Sequence, residues 1–187
     1  MMTIDAALRQ ENPETYTLIM RDEFQLLVSD PLHETLAHSV ARSHKLSFWS
    51  AVQNLPLLQT AFGGDMRAEQ QMKSLLANYV TKFVLANGCM DVTNRFFSDM
   101  FGKHREQFNN LNERPPTEPD SFADAMFGAP ASNFCMSEQL TDRVPADHFL
   151  HLRRGGPPEF MVDAYMSQAG RVFDNGLPYR LVSFSQR

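Results

Sequence analysis

The residues best placed for chemistry are two histidines and two arginines near residue 150. His148 and His151 are three positions apart, so a helix would place both imidazoles on one face. Arg153 and Arg154 follow at once and bring two guanidinium groups to the same end. Guanidinium groups bind phosphates and carboxylates, and imidazoles transfer protons near neutral pH. The pattern predicts an anion or phosphate site; the simpler interpretation is a helix end whose cations offset the helix dipole.

No other pattern in the sequence supports catalysis or metal binding. His33 and His38 are five positions apart, whereas a helical zinc pair needs four, so their rings would point about 140° apart. Glu34 and His38 instead have the spacing of an ion pair on a helix surface. Neither cysteine lies near a histidine in a recognisable motif, and the glycine-rich phosphate loops and the nucleophile elbow are absent from the sequence. We therefore expect no catalytic residue, no cofactor and no metal.

Negative charge is concentrated in residues 113–142. Six acidic residues and one basic residue give this segment a charge of −5, which equals the net charge of the whole chain. Its first part, residues 113–120, contains three prolines, which keep the backbone extended. Glu118, Asp120 and Asp124 are therefore the candidate contacts to a basic partner. The simpler interpretation of the same segment is a solvated linker.

The first part of the chain carries the apolar spacing of helices. Asp30, which precedes a proline, is a helix start signal, and Asp65 precedes apolar residues that recur every three to four positions. Asn87 and Gly88 form a stop signal, and a second apolar stripe spans residues 91–108. Two helices joined by a short turn predict a central antiparallel helix hairpin. Its core is expected to contain five aromatic residues, Tyr79, Phe83, Phe96, Phe97 and Phe101.

Shorter elements are expected in the rest of the chain. Further helices are predicted from Pro13 to about Leu27, from Ser47 to Pro56, and at about 120–127, 133–143, 146–154 and 158–172. Residues 179–184 alternate as a strand would, and either form an extended tail or pair with another chain. The sequence thus predicts an all-α fold with a short extended C-terminal segment. A single compact domain is expected over residues 1–187, with a helical body at 1–112, a proline-rich linker at 113–120 and shorter elements at 121–187.

Composition narrows the class of function. The net charge of −5 argues against direct binding of nucleic acid, and no apolar run is long enough to span a membrane. Two cysteines are too few for a disulfide framework, which favours a cytoplasmic protein. Fifteen phenylalanines and eleven methionines are high counts of two types that are enriched in interface cores. We therefore expect a non-enzymatic protein-binding protein, of adaptor, chaperone or inhibitor type, whose protein partner presents a basic surface.

Two alternatives stay open. The cluster of His148, His151, Arg153 and Arg154 would suit a small enzyme or an anion-binding protein. A strand-like C-terminal segment that completes a neighbour's sheet would instead make the chain a structural subunit of a larger assembly. The sequence is also compatible with a homodimer.

Overall fold

The fold combines helices with strands, so the all-α prediction is wrong. The computed structural model describes residues 8–9, 15–113 and 132–187, and for residues 108–113 and 132–137 it describes the backbone only. Within these ranges the α-helices are α1 (Phe24–Leu27), α2 (Pro31–Val40), α3 (Leu55–Ala61), α4 (Met66–Asn78) and α5 (Arg95–Phe101). The strands are β1 (Thr17–Arg21), β2 (Leu46–Ser50), β3 (Thr81–Leu85), β4 (Lys103–Glu113), β5 (Ser132–Asp142), β6 (Met161–Gln168) and β7 (Tyr179–Ser185). A π-helical turn at Met90–Asn94 and a 3-10 helix at Ala146–Leu150 complete the elements.

The strands described here form three separate sheets. β1 and β2 pair in parallel, from Thr17 beside Leu46 to Arg21 beside Ser50. β6 lies between β3 and β7 and is antiparallel to both. β4 and β5 form a long antiparallel pair. Because parallel strands need a crossover connection, α1 and α2 lie between β1 and β2 along the chain.

Two helix starts that the sequence predicts are confirmed. The Asp30 carboxylate accepts hydrogen bonds from the backbone N–H groups of Leu32 and His33 at 3.0 and 3.1 Å. The Asp65 carboxylate accepts one from the backbone N–H of Ala68 at 2.7 Å. Such caps satisfy N–H groups that have no partner inside the helix. Local side-chain chemistry therefore sets where α2 and α4 begin.

The predicted central helix hairpin is wrong. α4 ends at Asn78, and the residues expected to continue it form β3, which pairs with β6. Phe83, expected in the core, is 47% exposed in β3. A short apolar run fits a helix and a strand equally well, and a distant partner strand decides between them. The second helix is also shorter than predicted. α5 ends at Phe101, and β4 follows after Gly102, whose φ of 82° suits glycine.

The other corrections have the same physical origin. Predicted helical segments form β1 at residues 17–21, β2 at 46–50, β5 at 132–142 and β6 at 161–168, while the helix expected at 146–154 is a 3-10 helix at 146–150. These strands satisfy their backbone groups with partners far away in the sequence, which a local apolar pattern does not reveal. The C-terminal strand is confirmed as β7, and its partner is β6 of the same chain. The predicted helix at 120–127, and the linker at 113–120 beyond Glu113, lie outside the described residues.

Two apolar clusters form the core. The first contains Phe24, Leu55, Leu58, Phe62, Ala68, Met72 and Leu75, and it joins α1, α3 and α4. The second contains Val84, Phe101, Val144, Phe149 and Tyr179, and it joins β3, α5 and β7. Phe97 packs against both clusters. Of the five aromatic residues expected in the core, Phe101 is buried, whereas Tyr79, Phe96 and Phe97 are partly buried.

Truncation of Phe149 tests the second cluster. This side chain is fully buried, and its ring centroid lies 6.1 Å from that of Phe101 and 5.5 Å from that of Tyr165. Phe149→Ala is expected to lower the free energy of unfolding by about 3–5 kcal/mol, because it removes buried apolar surface and leaves a cavity. A urea titration followed by circular dichroism measures this change. The control Phe184→Ala, at a residue 47% exposed, should cost less than about 1 kcal/mol; equal losses would contradict the core placement.

Candidate functional site

A buried arginine organises the end of β1. Arg21 is only 8% exposed. Its guanidinium donates to the carboxylate of Glu34 in α2 at 2.6 Å and to Nε2 of His38 at 2.7 Å. The same guanidinium lies 4.0 Å from the ring centroid of Phe24 and 4.9 Å from that of Phe48. A buried charge is tolerated only with such a set of partners, so Arg21 ties β1 to α2 and β2.

Two hydroxyl groups complete the contacts of this arginine. Tyr79, just after α4, accepts a hydrogen bond from Arg21 at 3.3 Å and donates one to the Ser50 hydroxyl. Burial is the main cause that raises the pKa of Tyr79. Burial, together with the charge of Arg21, lowers the pKa of His38 to about 4, so His38 is neutral at pH 7 and accepts the hydrogen bond from Arg21. We call Arg21, Glu34, His38, Ser50 and Tyr79 the Arg21 network.

Two carboxylates follow Arg21 at the carboxyl end of β1. The Asp22 carboxylate accepts a hydrogen bond from the backbone N–H of Glu23 at 2.9 Å. Glu23 has a φ of 50°, in the left-handed region that non-glycine residues seldom adopt. Its two carboxylate oxygens accept hydrogen bonds from the side-chain amides of Gln25 and Gln53. Because Gln53 follows β2, the ends of both parallel strands contribute to this small polar site.

The carboxylates at these strand ends lie where a ligand could be oriented. In open parallel sheets, ligands bind outside the carboxyl ends of the strands. Carboxylates at such a position can orient a water molecule or share a cation with oxygen atoms of the ligand. Among the described residues, however, there is no group of three or more histidine, cysteine, aspartate or glutamate side chains that could hold a metal ion.

The opposite side of the β1–β2 pair is apolar and exposed. Leu18, Met20 and Trp49 are 50%, 69% and 63% exposed, and the strand register places Met20 directly beside Trp49. We call these three residues the outer face. A second exposed apolar stripe runs along α2 at four-residue spacing, through Leu32, Leu36 and Val40. Parallel sheets are normally covered on both faces, and exposed apolar patches mark interaction surfaces, so the outer face is a candidate binding surface.

The predicted histidine and arginine cluster divides between two surroundings. His148 lines an open groove beside β4 and β5. Arg153 binds the Asp163 carboxylate through Nε and Nη2 at 2.7 and 2.8 Å, and it binds Glu159 at 2.9 Å. The hydrogen bonds from Arg153 are the main cause that holds the pKa of Asp163 well below its ordinary value. His148, His151 and Arg154 are exposed. Arg153 is thus already paired with carboxylates, and anion binding by all four residues stays a prediction.

The other predicted contacts, Glu118, Asp120 and Asp124, lie outside the described residues. The spacing of residues in the sequence does not reveal the Arg21 network, because it places Glu34 and His38 on a helix surface. Both side chains are in fact only 4% exposed. One signal points to them: Arg21 directly follows an apolar strand segment, where a charge must find a partner or reach solvent.

Comparisons with known proteins agree with this mixed fold. Residues 17–128, which are 112 of the 187 residues, match the family model described as the TraM recognition site of TraD and TraG. Among solved structures, the chain is similar to the bacterial conjugative coupling protein TrwBdeltaN70 in its unbound monoclinic form, with a TM-score of 0.65 and 16% sequence identity. That match covers all of this chain and 36% of the TrwBdeltaN70 chain, and at this identity it supports the fold alone. No curated protein sequence matches the chain.

Acidification tests the buried, neutral state of His38. Its pKa is about 4 in the folded protein against an ordinary 6.5, so between these values the unfolded chain binds a proton that the folded chain does not. The free energy of unfolding should therefore fall as the pH drops through this range, by about 2–3 kcal/mol, and this contribution is fully present above about pH 6.5. Urea titrations at about pH 7.5 and about pH 4.5 measure the loss.

The control for this measurement is His38→Gln, which retains a hydrogen-bonding amide but does not titrate. Other groups lose stability in acid equally in both proteins, so the difference between them isolates His38. The wild-type protein should lose more stability than His38→Gln. Equal losses of stability would show that the folded protein protonates His38 as readily as the unfolded chain does, which would contradict a buried, neutral side chain.

Proposed function

The chain belongs to the family of TraM recognition sites of TraD and TraG, and we propose that it binds another protein in a conjugative system. The observation that carries this proposal is the family match over residues 17–128. The name of the family suggests a TraM-type protein as the partner. The chain spans about a third of TrwBdeltaN70, so the activity of a complete coupling protein is not assigned to it.

The outer face is the surface that we propose for this partner. Leu18, Met20 and Trp49 lie inside the matched segment and present adjacent apolar side chains on one side of a sheet. Tryptophan and methionine are enriched in the cores of protein interfaces, and tryptophan often carries a large share of the binding energy. The rigid β1–β2 pair, held from its other side by the Arg21 network, would lose little conformational freedom on binding.

The acidic residues that the sequence predicts to contact a basic partner are a second part of this proposal. Glu118, Asp120 and Asp124 also fall within residues 17–128, which supports a part for them in recognition. Their charges would act mainly on the rate of association, whereas the outer face would supply most of the buried apolar surface. The finer types expected from the sequence, an adaptor, a chaperone or an inhibitor, stay predictions.

Several other expectations stay predictions. They are a cytoplasmic location, the absence of direct nucleic-acid binding, a homodimer and the role of a structural subunit. None of the described helices is both long and apolar enough to cross a membrane. The alternative of a small enzyme built on His148, His151, Arg153 and Arg154 likewise stays a prediction.

Substitution of Trp49 tests the outer face directly. Trp49→Ala should weaken binding of the purified TraM-type protein of the same conjugative system at least about tenfold, because a large aromatic contact is lost. The melting temperature should change little, since the side chain is largely exposed. Calorimetric titration measures the affinity. Because Trp49 is the single tryptophan of the chain, its fluorescence in the wild-type protein should also shift to shorter wavelength when the partner covers it.

A matched control distinguishes the outer face from any exposed apolar residue. Leu181→Ala alters an apolar residue that is 54% exposed on β7, in a different sheet, and should leave the affinity unchanged. If a folded Trp49→Ala protein bound the partner as tightly as the wild type, the outer face would not be the recognition surface. The family-based proposal of a protein partner would still stand if the wild type bound.

Charge reversal tests the acidic contribution separately. Replacing Glu118, Asp120 and Asp124 by lysine should lower the association rate with the same partner about tenfold at low salt, because long-range attraction becomes repulsion. The effect should shrink towards about 0.5 M salt, where charges are screened. Stopped-flow mixing measures these rates. The control reverses three acidic residues outside this segment, Asp91, Asp147 and Asp174, which are exposed, and so changes the net charge equally. Equal slowing by both triple variants would assign the effect to net charge alone.

A further inference from the structure

An open groove of about 610 Å³ lies at the end of the antiparallel β4–β5 pair that is next to α5. Its basic side chains are Arg95 from α5, Lys103 and His104 from the start of β4, Arg143 just after β5, and His148 from the 3-10 helix. The groove shares no residue with the outer face or with the strand ends. Two stretches that are distant in the sequence, residues 95–104 and 143–148, thus bring five basic side chains together in a protein whose overall charge is negative.

The groove also contains carboxylates, and the best placed of them is already neutralised. Asp142 is 17% exposed and lies 3.3 Å from Nη1 of Arg95 and 3.6 Å from Nζ of Lys103. Arg95 also lies 3.8 Å from Asp99, which is half exposed. Glu106 is the second acidic residue in the lining and is exposed. Arg95 and Lys103 remain about half exposed beside Asp142, so both can still donate hydrogen bonds to a ligand.

Arg143 supplies positive charge that no carboxylate in the described structure balances. Its Nε donates to the backbone carbonyl of Lys103 at 3.1 Å, and its backbone N–H donates to the carbonyl of Gly102 at 3.0 Å. These two bonds hold Arg143 in place beside the first residue of β4 and the last residue of β5. Its two terminal nitrogen atoms have no hydrogen bond among the described contacts and can form a two-point contact with a carboxylate.

We infer that this groove binds an acidic peptide segment of another protein. Guanidinium groups held at a rigid strand end recognise carboxylates well. Leu140, which is 67% exposed in the lining, would contact an apolar side chain that lies between the acidic residues of the peptide. Nucleic acid fits less well, since the described part of the lining has no tryptophan, tyrosine or phenylalanine on which bases stack, and the chain is acidic overall. The sequence pattern grouped His148 with Arg153 in an anion site. In this groove, His148 instead contacts the acidic peptide together with Arg95 and Arg143.

A fluorescent peptide in which pairs of glutamates alternate with leucine tests this inference. The whole 187-residue chain is titrated into the peptide, and the fluorescence polarisation of the peptide measures binding. The wild type should bind it, and the same peptide with glutamine in place of glutamate should bind at least about tenfold more weakly. Arg143→Gln and Arg95→Gln should each weaken binding about fivefold, while Arg67→Gln, an exposed arginine of α4 outside the groove, should have no effect. Binding should also weaken as salt rises.

A variant that gains affinity excludes damage to the fold as the explanation. Glu106→Gln removes a carboxylate from the lining and should strengthen binding of the acidic peptide about twofold to fivefold, because it removes repulsion. An unchanged affinity in Arg143→Gln and Glu106→Gln would overturn the inference. Tighter binding of a single-stranded thymidine oligonucleotide than of the peptide, weakened by the same arginine substitutions, would overturn it in favour of nucleic acid.

Discussion

The buried ion pair between Arg21 and Glu34 is the constraint on which the first half of the molecule depends. A guanidinium removed from water must find partners, and replacing only one member of such a pair leaves an isolated buried charge. Here the carboxylate comes from α2, while the other acceptors come from α2, β2 and the end of α4. These three elements can satisfy Arg21 only when they pack around β1 in one arrangement. The ion pair thus selects a specific packing, whatever its net contribution to stability.

The same constraint gives the β1–β2 pair its unusual polarity. Its inner side carries a charged network, whereas its outer face carries Leu18, Met20 and Trp49 in contact with solvent. A sheet with one side in water normally shows the reverse pattern, with apolar residues inside and polar residues outside. The arrangement is understandable if both sides are meant to be covered, one by α2 and α4 and the other by a protein partner. This is why the outer face carries the proposed function better than a scattered set of exposed apolar residues would.

The outer face and the basic groove would contribute different physical terms to recognition. The outer face offers apolar surface, which affects mainly the lifetime of a complex through burial. The groove offers fixed positive charge, which favours encounter with an acidic segment and depends on salt. Because they share no residue and lie on different sheets, each can bind without the other.

The sequence by itself determined the features that depend on neighbouring residues. Asp30 and Asp65 cap the helices that begin after them, and the alternation at residues 179–184 correctly predicts a strand, since caps and alternation act within a few residues. Tertiary structure alone decided that the apolar segments at 46–50 and 81–85 are strands, because their hydrogen-bond partners lie far along the chain. It also decided the Arg21 network and the basic groove, since each joins side chains from several elements. A charged residue looks solvent-exposed in a local pattern, and only the packing of distant elements shows which charge is buried and paired.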